Sequence, residues 1–257
     1  MHYAKSRHKI DSFLINLSQE TKKNKISWET NLTGEISRIG LRVPAVRKVL
    51  KNKLFLIEVL ALNQLSPREQ LGLWDYVWKN TSYYESMSLA LYFYQKKALT
   101  KGEFAVIDKW ILRCTCWEHS DDLSKIYAQL VEEHPTWILP TLKRWNRSKN
   151  SWKRRQSLVS LIEYASKRKQ VLPFDKLISF IIPLLNDNEY YVQKGLGWTV
   201  RETYNVYPLK TLQFLSQYLF QISSVAYSAA VEKLDKDTRD SFRQKRKEDR
   251  IAKKVLI

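Results

Sequence analysis

Turn-forming residues are scarce in this chain, which has six glycines and seven prolines among 257 residues. A turn-rich all-β protein needs more of both, so the scarcity favours helices joined by short connections. Apolar residues recur at helical spacing from Ile10 to the C-terminal region. We therefore predict an all-α protein.

The predicted helices follow one another after a few residues, so each is expected to pack antiparallel on its neighbour. Taken in pairs they recur at intervals of roughly 35 to 40 residues, within the range of HEAT-like repeats. We expect about six helix pairs stacked into one α-α superhelical domain, 1–257, with a concave basic face. Residues 233–257 carry many charges of both signs and are expected to form a solvated last helix or a partly disordered tail, with no chemistry assigned to them. Among the helices that the periodicity predicts are Ile10–Lys25, Leu54–Leu62, Asp121–Glu133 and Trp152–Ala165.

No run of about 18 apolar residues is present, which argues against a transmembrane helix. The opening residues, MHYAKSRHKIDSF, are charged and lack the apolar core of a signal peptide. We expect a cytoplasmic protein that does not bind a membrane.

The two cysteines, Cys114 and Cys116, are separated by one residue, unlike the two-residue spacing of redox and zinc motifs. The four histidines show no metal-ligand spacing either. We expect reduced thiols that act as small core residues, with no metal and no cofactor. No nucleophile–histidine pairing and no phosphate-binding glycine loop is evident, which argues against hydrolase triads and nucleotide phosphotransfer.

Lysine and arginine number 44 against 26 acids, which gives a net charge of +18. The excess is concentrated between Lys143 and Lys169, where ten residues are basic and Glu163 is the only acid. Trp145 and Trp152 lie within this stretch, so it suits a polyanion with flat faces for stacking. A solvated positive face is the alternative, but the mutual repulsion of so many cations weighs against it. Nucleic acid is favoured over an anionic membrane because the cations are spread over several elements rather than one amphipathic segment.

A segment reading NEYYVQKGLGWTVRE combines cations, an indole and two glycines on one predicted helix. Lys194, Trp198 and Arg201 are spaced four and three residues apart, so they share one stripe of that helix. Gly195 and Gly197 each cost roughly 1 kcal/mol relative to alanine, which indicates close approach by another backbone or a ligand. We expect a negatively charged, flat-faced ligand against this stripe.

The segment RCTCWEHSDDL places Trp117 four residues before Asp121, which on a helix puts both on one face. The adjacent Asp122 is turned away by about 100°. A carboxylate facing a basic groove repels DNA unless it serves the substrate, and stabilising a developing positive charge is such a role. The alternative, which the pattern alone favours, is that Trp117 is a core residue and Asp121 the N-cap of the following helix.

Three consecutive cations, Lys153, Arg154 and Arg155, follow Trp152 at a predicted helix start. Arg155 is a candidate for bidentate phosphate contacts. A solvated helix start is the alternative, and these residues alone do not decide between the two.

Four motifs, in their order and spacing, resemble those of the bacterial AlkD-type alkylpurine DNA glycosylases. They are G-x-x-x-P-x-x-R from Gly40 to Arg47, W-x-x-x-D at Trp117 and Asp121, WKRR at Trp152–Arg155, and VQKGLGWTVRE at Val192–Glu202. The last is fairly specific, whereas the W-x-x-x-D pair alone would be weak. Together the motifs span residues 40–202.

The resemblance implies HEAT-like helical repeats whose concave basic face holds duplex DNA. It also implies hydrolysis of the N-glycosidic bond of cationic N3- or N7-alkylated purines, without flipping of the base into a pocket. By the match, Trp117, Asp121 and Trp198 are the catalytic residues that line the deoxyribose of the lesion. The expected DNA-binding residues are Arg42, Val43, Pro44, Arg47, Lys153, Arg154, Arg155, Lys194 and Arg201.

The chemistry of the lesion agrees with this assignment. An N-alkylated purine already carries a positive charge and leaves without a strong general acid. What remains is an oxocarbenium-like sugar, which two indole faces and one carboxylate can stabilise, with Asp121 also able to position water. One departure is that the family often carries a tyrosine upstream of its first glycine motif, where this chain has Asn31. The N-terminal helices, and their grip on the lesion strand, are therefore expected to differ.

Three functions fit these observations. The first is a monomeric DNA glycosylase for cationic alkylpurines, and the second is a non-catalytic repeat protein that recognises damaged or branched DNA by shape. The third is a helical scaffold for an acidic protein. Charge does not separate the first two, but the joint presence of Trp117, Asp121 and Trp198 favours the enzyme.

Overall fold

The computed structural model of the protein describes residues 3–20 and 36–255. The described residues contain thirteen α-helices and no β-strand, apart from one isolated parallel bridge between Ser37 and Tyr83. The prediction of an all-α protein is confirmed. Asn31 and the predicted C-terminal end of the helix Ile10–Lys25 lie outside the described residues.

The chain forms two compact units, Met1–Leu123 and Ser124–Ile257. The helices of the first unit are α1 Tyr3–Glu20, α2 Val43–Val49, α3 Pro67–Asn80, α4 Tyr84–Tyr94, α5 Lys101–Ile107 and the first turns of α6 Trp117–Glu133. The second unit contains the rest of α6 and α7 Pro135–Asn146, α8 Ser151–Val159, α9 Phe174–Ile181, α10 Tyr190–Val206, α11 Pro208–Gln217, α12 Ser224–Ala230 and α13 Lys236–Val255. Short 3₁₀ turns follow α5, α8 and α9.

Capping residues set two of the helix starts. The Ser66 hydroxyl accepts the backbone N–H of Glu69, while the Glu69 carboxylate accepts the N–H of Ser66. Thr100 and Glu103 form the same reciprocal pair at the start of α5. Each pair satisfies backbone N–H groups that have no partner within the helix. Ser66 followed three residues later by Glu69 is also the sequence signature of such a helix start.

Four predicted helix bounds are wrong, two of them because a non-glycine residue adopts a left-handed conformation. Leu54–Leu62 is a π-helical turn, Phe55–Val59, followed by a 3₁₀ turn that begins after Ala61, whose φ is 52°. The helix predicted over Trp152–Ala165 ends at Val159, and Glu163, with a φ of 59°, turns the chain beyond it. An L-residue at positive φ cannot continue a right-handed helix. The other two are helix starts, because α6 begins at Trp117 rather than Asp121 and α1 begins at Tyr3 rather than Ile10.

The core of the first unit is aromatic. The rings of Trp78 and Trp110 are stacked with centroids 5.2 Å apart, and the indole N–H of Trp78 donates to the carbonyl of Trp110 at 3.1 Å. Asp11, although buried, accepts hydrogen bonds from Thr81 and Ser86 at 2.8 and 2.6 Å. A buried charge is tolerated only when it is satisfied in this way, so α1 is fixed to α4 by directional contacts.

In the second unit α10 packs against α8, α11 and α12. A Cβ added to Gly197 would lie 2.3 Å from the carbonyl oxygen of Ala226 on α12. The close approach by another backbone that the glycine predicted is confirmed, because only a glycine lets α10 and α12 come this near.

Both cysteines lie in the core. Cys114 and Cys116 are buried and form no disulfide bond, as predicted. Burial raises the pKa of the Cys116 thiol to about 12, so it is a neutral core group.

Across residues 3–20 and 36–255, none of the helices has the length and apolar character needed to span a membrane.

Candidate nucleic-acid interface

A buried carboxylate fixes the loop that precedes α2. Glu85 accepts the backbone N–H groups of Ile39, Gly40 and Leu41 at 2.9, 2.8 and 3.2 Å. Gly40 has a φ of 92°, a conformation that L side chains rarely adopt, which explains the glycine. The loop is therefore held in one conformation by three charge-assisted hydrogen bonds.

This loop presents the first DNA-binding candidates. Arg42 is the N-cap of α2, and it is exposed together with Val43 and Pro44. The guanidinium of Arg47 lies over the ring of Tyr92 at 4.7 Å. Its Nη2 is 3.9 Å from a carboxylate oxygen of Asp122, and half of the side chain remains exposed. Tyr92 and Asp122 therefore orient the Arg47 side chain, and its guanidinium stays accessible to a ligand.

The pair Trp117 and Asp121 lies on one helix, as the i, i+4 spacing predicted. Trp117 is the first residue of α6 and is 46% exposed, and Asp121, half-buried, follows one turn later. The alternative that Trp117 is core and Asp121 an N-cap is wrong, because the helix starts four residues earlier and the indole is at the surface. Asp122 is buried and accepts from Gln95 Nε2 at 3.1 Å, so it does turn away as expected.

Aromatic and ionic contacts anchor the first turn of α6. The imidazole of His119, fully buried, stacks on Tyr84 with centroids 4.1 Å apart. The guanidinium of Arg38 lies over the Tyr84 ring, 3.9 Å from its centroid, and pairs with Glu118 at 2.7 Å. Burial lowers the pKa of His119 to about 4, so the imidazole is neutral at pH 7. These contacts orient Trp117 and Asp121.

In the second unit the basic run after Trp152 divides into exposed and internal residues. Asn150 caps α8 by accepting the N–H of Lys153 at 3.1 Å, and Lys153 is half-exposed. The guanidinium of Arg154 donates to both carboxylate oxygens of Asp187, at 2.5 and 3.2 Å. It also donates to the carbonyls of Ser148 and Lys149. The guanidinium N–H groups of Arg154 are therefore bonded within the protein, and we interpret Arg154 as a structural residue.

Arg155 is almost fully buried, with 4% of its surface exposed. Its Nη1 donates to the carbonyl of Tyr191 at 2.7 Å, and a Cβ on Gly195 would lie 3.1 Å from the same nitrogen. Gly195 therefore leaves the room in which the guanidinium fits. As placed, Arg155 joins α8 to the start of α10, and an open phosphate contact of the kind that the sequence suggested would require it to move.

Three aromatic rings gather where α8 and α10 begin. Trp152 stacks on Tyr191 with centroids 5.3 Å apart and an interplanar angle of 25°. Tyr190 meets Tyr191 edge-on, and both tyrosines are exposed. Lys194, one turn beyond Tyr190, is exposed as well. We call Trp152, Tyr190 and Tyr191 the aromatic platform. Trp145, by contrast, is buried against Tyr127 and offers no face for stacking.

Trp198 is 8% exposed and is covered by the exposed ring of Tyr164, with centroids 5.2 Å apart. Its indole Nε1 is buried and meets no hydrogen-bond acceptor among the described residues. Trp198 is therefore less accessible than Trp117. A buried hydrogen-bond donor without an acceptor is uncommon, so the Trp198 N–H is a candidate contact for a ligand.

The end of the VQKGLGWTVRE motif holds the Tyr164 turn in place. Glu202 is buried and accepts the backbone N–H of Ala165 at 3.0 Å. Arg201 pairs with Glu202 at 3.1 Å and with Glu232 at 2.6 Å. Arg201 thus lies between two carboxylates, which partly neutralise it as a phosphate ligand.

The structure gathers the candidates into two groups, one in each unit. In the first, contacts to Asp122 link Arg47 to the helix that carries Trp117 and Asp121. In the second, Arg155 joins α8 to the start of α10, the helix that carries Lys194 and Trp198. Sequence reasoning missed Glu85, Tyr164 and Tyr191. A carboxylate among apolar residues of a helix signals Glu85 in principle, but nothing in the sequence identifies its backbone partners.

The chain matches the family described as “DNA alkylation repair enzyme” over residues 12–234. Among solved structures, it is similar to a predicted DNA alkylation repair enzyme from Enterococcus faecalis, with a TM-score of 0.63 and 18% identity over 86% of this chain and 94% of that one. It is similar to AlkD2 from Streptococcus mutans, with a TM-score of 0.54 and 15% identity over 86% and 99% of the two chains. The structure of smu.31 from Streptococcus mutans UA159 matches with a TM-score of 0.54 and 17% identity, over 75% and 98%. These likenesses show a helical-repeat fold of the AlkD type. No curated protein gives a significant match.

Proposed function

The chain belongs to the DNA alkylation repair enzyme family, and from this membership we propose that it is a DNA glycosylase. Its substrate would be duplex DNA that contains a purine alkylated at N3 or N7. The product would be the free base and an abasic site. Action as a monomer in the cytoplasm is part of the proposal.

The observation that carries the proposal is the surface of α6. Trp117 exposes 46% of its surface one turn before Asp121, on a helix start anchored by Arg38 and His119. An indole face and a carboxylate both attract a cation. Groups already oriented before the reaction stabilise a developing charge without reorganisation.

In the proposed reaction the bond between C1′ of the deoxyribose and the purine nitrogen breaks, and its electron pair goes to the base. The base starts as a cation and leaves neutral, so no proton has to be donated to it. Positive charge moves to the sugar, where Trp117 and Asp121 would stabilise it. Water then attacks C1′, and Asp121 would accept its proton.

The second unit would supply backbone contacts and the second indole. Lys153 and Lys194 are accessible cations, and the aromatic platform beside them offers flat surfaces. The N–H of Trp198 meets no acceptor among the described residues, and displacement of the Tyr164 ring by a ligand would let it donate to a phosphate or sugar oxygen.

A non-catalytic DNA-binding protein is the second candidate. It is favoured by the burial of Trp198 and Arg155, because both are expected to face the lesion in the enzyme. Such a protein would keep Lys153, Lys194 and the aromatic platform for recognition of DNA shape.

Release of the free base separates the two candidates. Wild-type protein is incubated with a duplex that contains 7-methylguanine or 3-methyladenine, and free base is measured against the same duplex without protein, with binding followed in parallel. The enzyme predicts release well above the spontaneous rate. Binding of the duplex with release at the spontaneous rate would refute the enzyme and leave the second candidate.

A further inference from the structure

A cationic groove lies between α12 and α13, and the function proposed above makes no use of it. Its volume is about 930 Å³. Ser224 and Tyr227 line it from α12, and the cations that line it from α13 are Arg243, Arg246, Lys247 and Arg250. Helix α13 follows the family-matched region, which ends at residue 234. The groove is therefore formed in part by a segment outside that region.

The arginines of α13 are regularly spaced. Arg239, Arg243, Arg246 and Arg250 follow one another at intervals of four, three and four residues, which places them on a single face of the helix. Eleven residues of α-helix cover about 16 Å. Phosphates follow one another at about 3.4 Å of axial rise along a DNA strand, so this stripe is long enough to face several of them.

Two of these arginines are held in place by the protein. Arg246 donates to the carbonyls of Leu219 and Ile222 and lies over the ring of Tyr227 at 4.6 Å. Arg250 donates to the hydroxyl of Ser224 at 2.8 Å. Side chains fixed in this way lose little entropy when a ligand binds, so they form a prepared anion site rather than a solvated fringe.

The remaining charges leave the groove positive. Arg243 and Lys247 are exposed and form no ion pair within residues 3–20 and 36–255. The one carboxylate in the lining, Asp240, is paired with Lys236 at 3.1 Å. Burial and the neighbouring Arg250 both lower the pKa of Arg246, so these cations repel each other. A bound anion would relieve that repulsion.

We propose that the α12–α13 groove binds the sugar–phosphate backbone of DNA and extends the DNA contact of the protein beyond its family-matched region, onto α13. The choice of DNA as the ligand rests on the proposed function. Guanidinium groups match phosphate in a bidentate geometry, which favours a phosphate polymer over an acidic protein. Helices that lie on membranes carry a broad apolar face. Among the exposed residues of α13 whose side chains are described, Ile251 is the only large apolar one.

The test compares two double variants that remove the same charge. Arg243→Gln/Lys247→Gln changes the groove, and Lys96→Gln/Lys245→Gln changes exposed lysines outside its lining. Binding of an unmodified duplex is measured by fluorescence anisotropy across a salt series. We expect the groove variant to bind at least tenfold more weakly and its log–log salt slope to fall by about 2. The control variant should stay within about threefold of wild type.

Equal loss in the two variants would mean a general charge effect, and either that result or no loss in the groove variant overturns the proposal. A second arm uses vesicles of phosphatidylserine and phosphatidylcholine. If the groove variant loses vesicle binding but keeps DNA binding, the groove is a lipid site and the proposal fails. All changed residues are exposed, and a thermal melt of each variant verifies the fold.

The result is independent of catalysis because the duplex carries no lesion. If the groove variant binds weakly while wild type releases no alkylated base, the groove proposal stands and the glycosylase fails. If wild type releases base and the groove variant binds like wild type, the groove proposal fails and the glycosylase stands.

Discussion

At the scale of single residues, two glycines of α10 lie where a neighbouring group comes unusually close to the helix. Gly197 and Gly195 are close in the sequence, but they serve different neighbours. The first lets the backbone of α12 approach, and the second makes room for the Arg155 guanidinium. The sequence predicted close contact at both positions, but whether the neighbour was protein or ligand followed only from the structure.

Gly197→Ala is expected to destabilise the protein. The added methyl group would lie 2.3 Å from the Ala226 carbonyl oxygen, and backbone atoms cannot give way as a flexible side chain can. Overpacking of this kind costs about 1 to 3 kcal/mol in free energy of unfolding, measurable by urea denaturation. The control is Gly102→Ala, where the nearest atom would be 4.0 Å away, and it should be neutral or stabilising by up to about 1 kcal/mol. Equal effects of the two substitutions would contradict this packing account.

His119 should make stability depend on pH. Burial lowers its pKa in the folded state to about 4, against about 6.5 in the unfolded chain. The unfolded chain therefore binds more protons as pH falls from about 6.5 toward 4, and stability is lost in that window. Between pH 7 and 5 wild type should lose about 2 kcal/mol more than His119→Gln in urea unfolding.

The control for this experiment is His8→Gln, at an exposed position of α1. It should follow the wild-type curve. If His119→Gln also tracks wild type between pH 7 and 5, the imidazole is not held neutral by burial.

At the scale of elements, the Gly40 loop depends on a helix that is distant in sequence. Glu85 of α4 accepts three consecutive N–H groups of the loop, so α4 determines where α2 begins. A sequence motif identified Gly40 and Arg47, but a hydrogen bond between residues 45 positions apart follows only from the fold.

Glu85→Gln should loosen this loop. The amide offers one acceptor oxygen and adds donors that would face the loop N–H groups, so we expect a loss of roughly 2 kcal/mol in free energy of unfolding. If the loop contributes to the interface, duplex affinity should fall several-fold at a temperature where the variant remains folded. The control is Glu58→Gln at an exposed position. A destabilised variant with wild-type DNA affinity would remove the loop from the interface.

The success of sequence reasoning also differs between elements. Scarcity of glycine and proline, together with periodicity, was sufficient to predict an all-α fold. The capping box at Ser66 gave a correct helix start. The ends near Ala61 and Glu163 were missed, because left-handed non-glycine residues give no sequence signal. The buried state of Arg155 was missed because its environment depends on Gly195, forty residues later.

At the scale of the whole molecule, some basic side chains hold the helices together and others remain accessible to a ligand. Structural arginines such as Arg154 hold the helices. The accessible cations of the family-matched region that we assign to DNA are Arg42, Arg47, Lys153 and Lys194. The sequence predicted the kinds of residue involved, but not which cations were already used inside the protein. In this account the carboxylate of Asp121 is the group that separates an enzyme from a DNA-binding scaffold.

The decisive measurement is the single-turnover rate of 7-methylguanine release from a methylated duplex, for wild type and Asp121→Asn with enzyme in excess. The control is Glu133→Gln, at an exposed position near the other end of α6. The account predicts that Asp121→Asn is slower by roughly 100-fold or more while its duplex affinity is unchanged, and that Glu133→Gln matches wild type. An Asp121→Asn rate within a few-fold of wild type would contradict it.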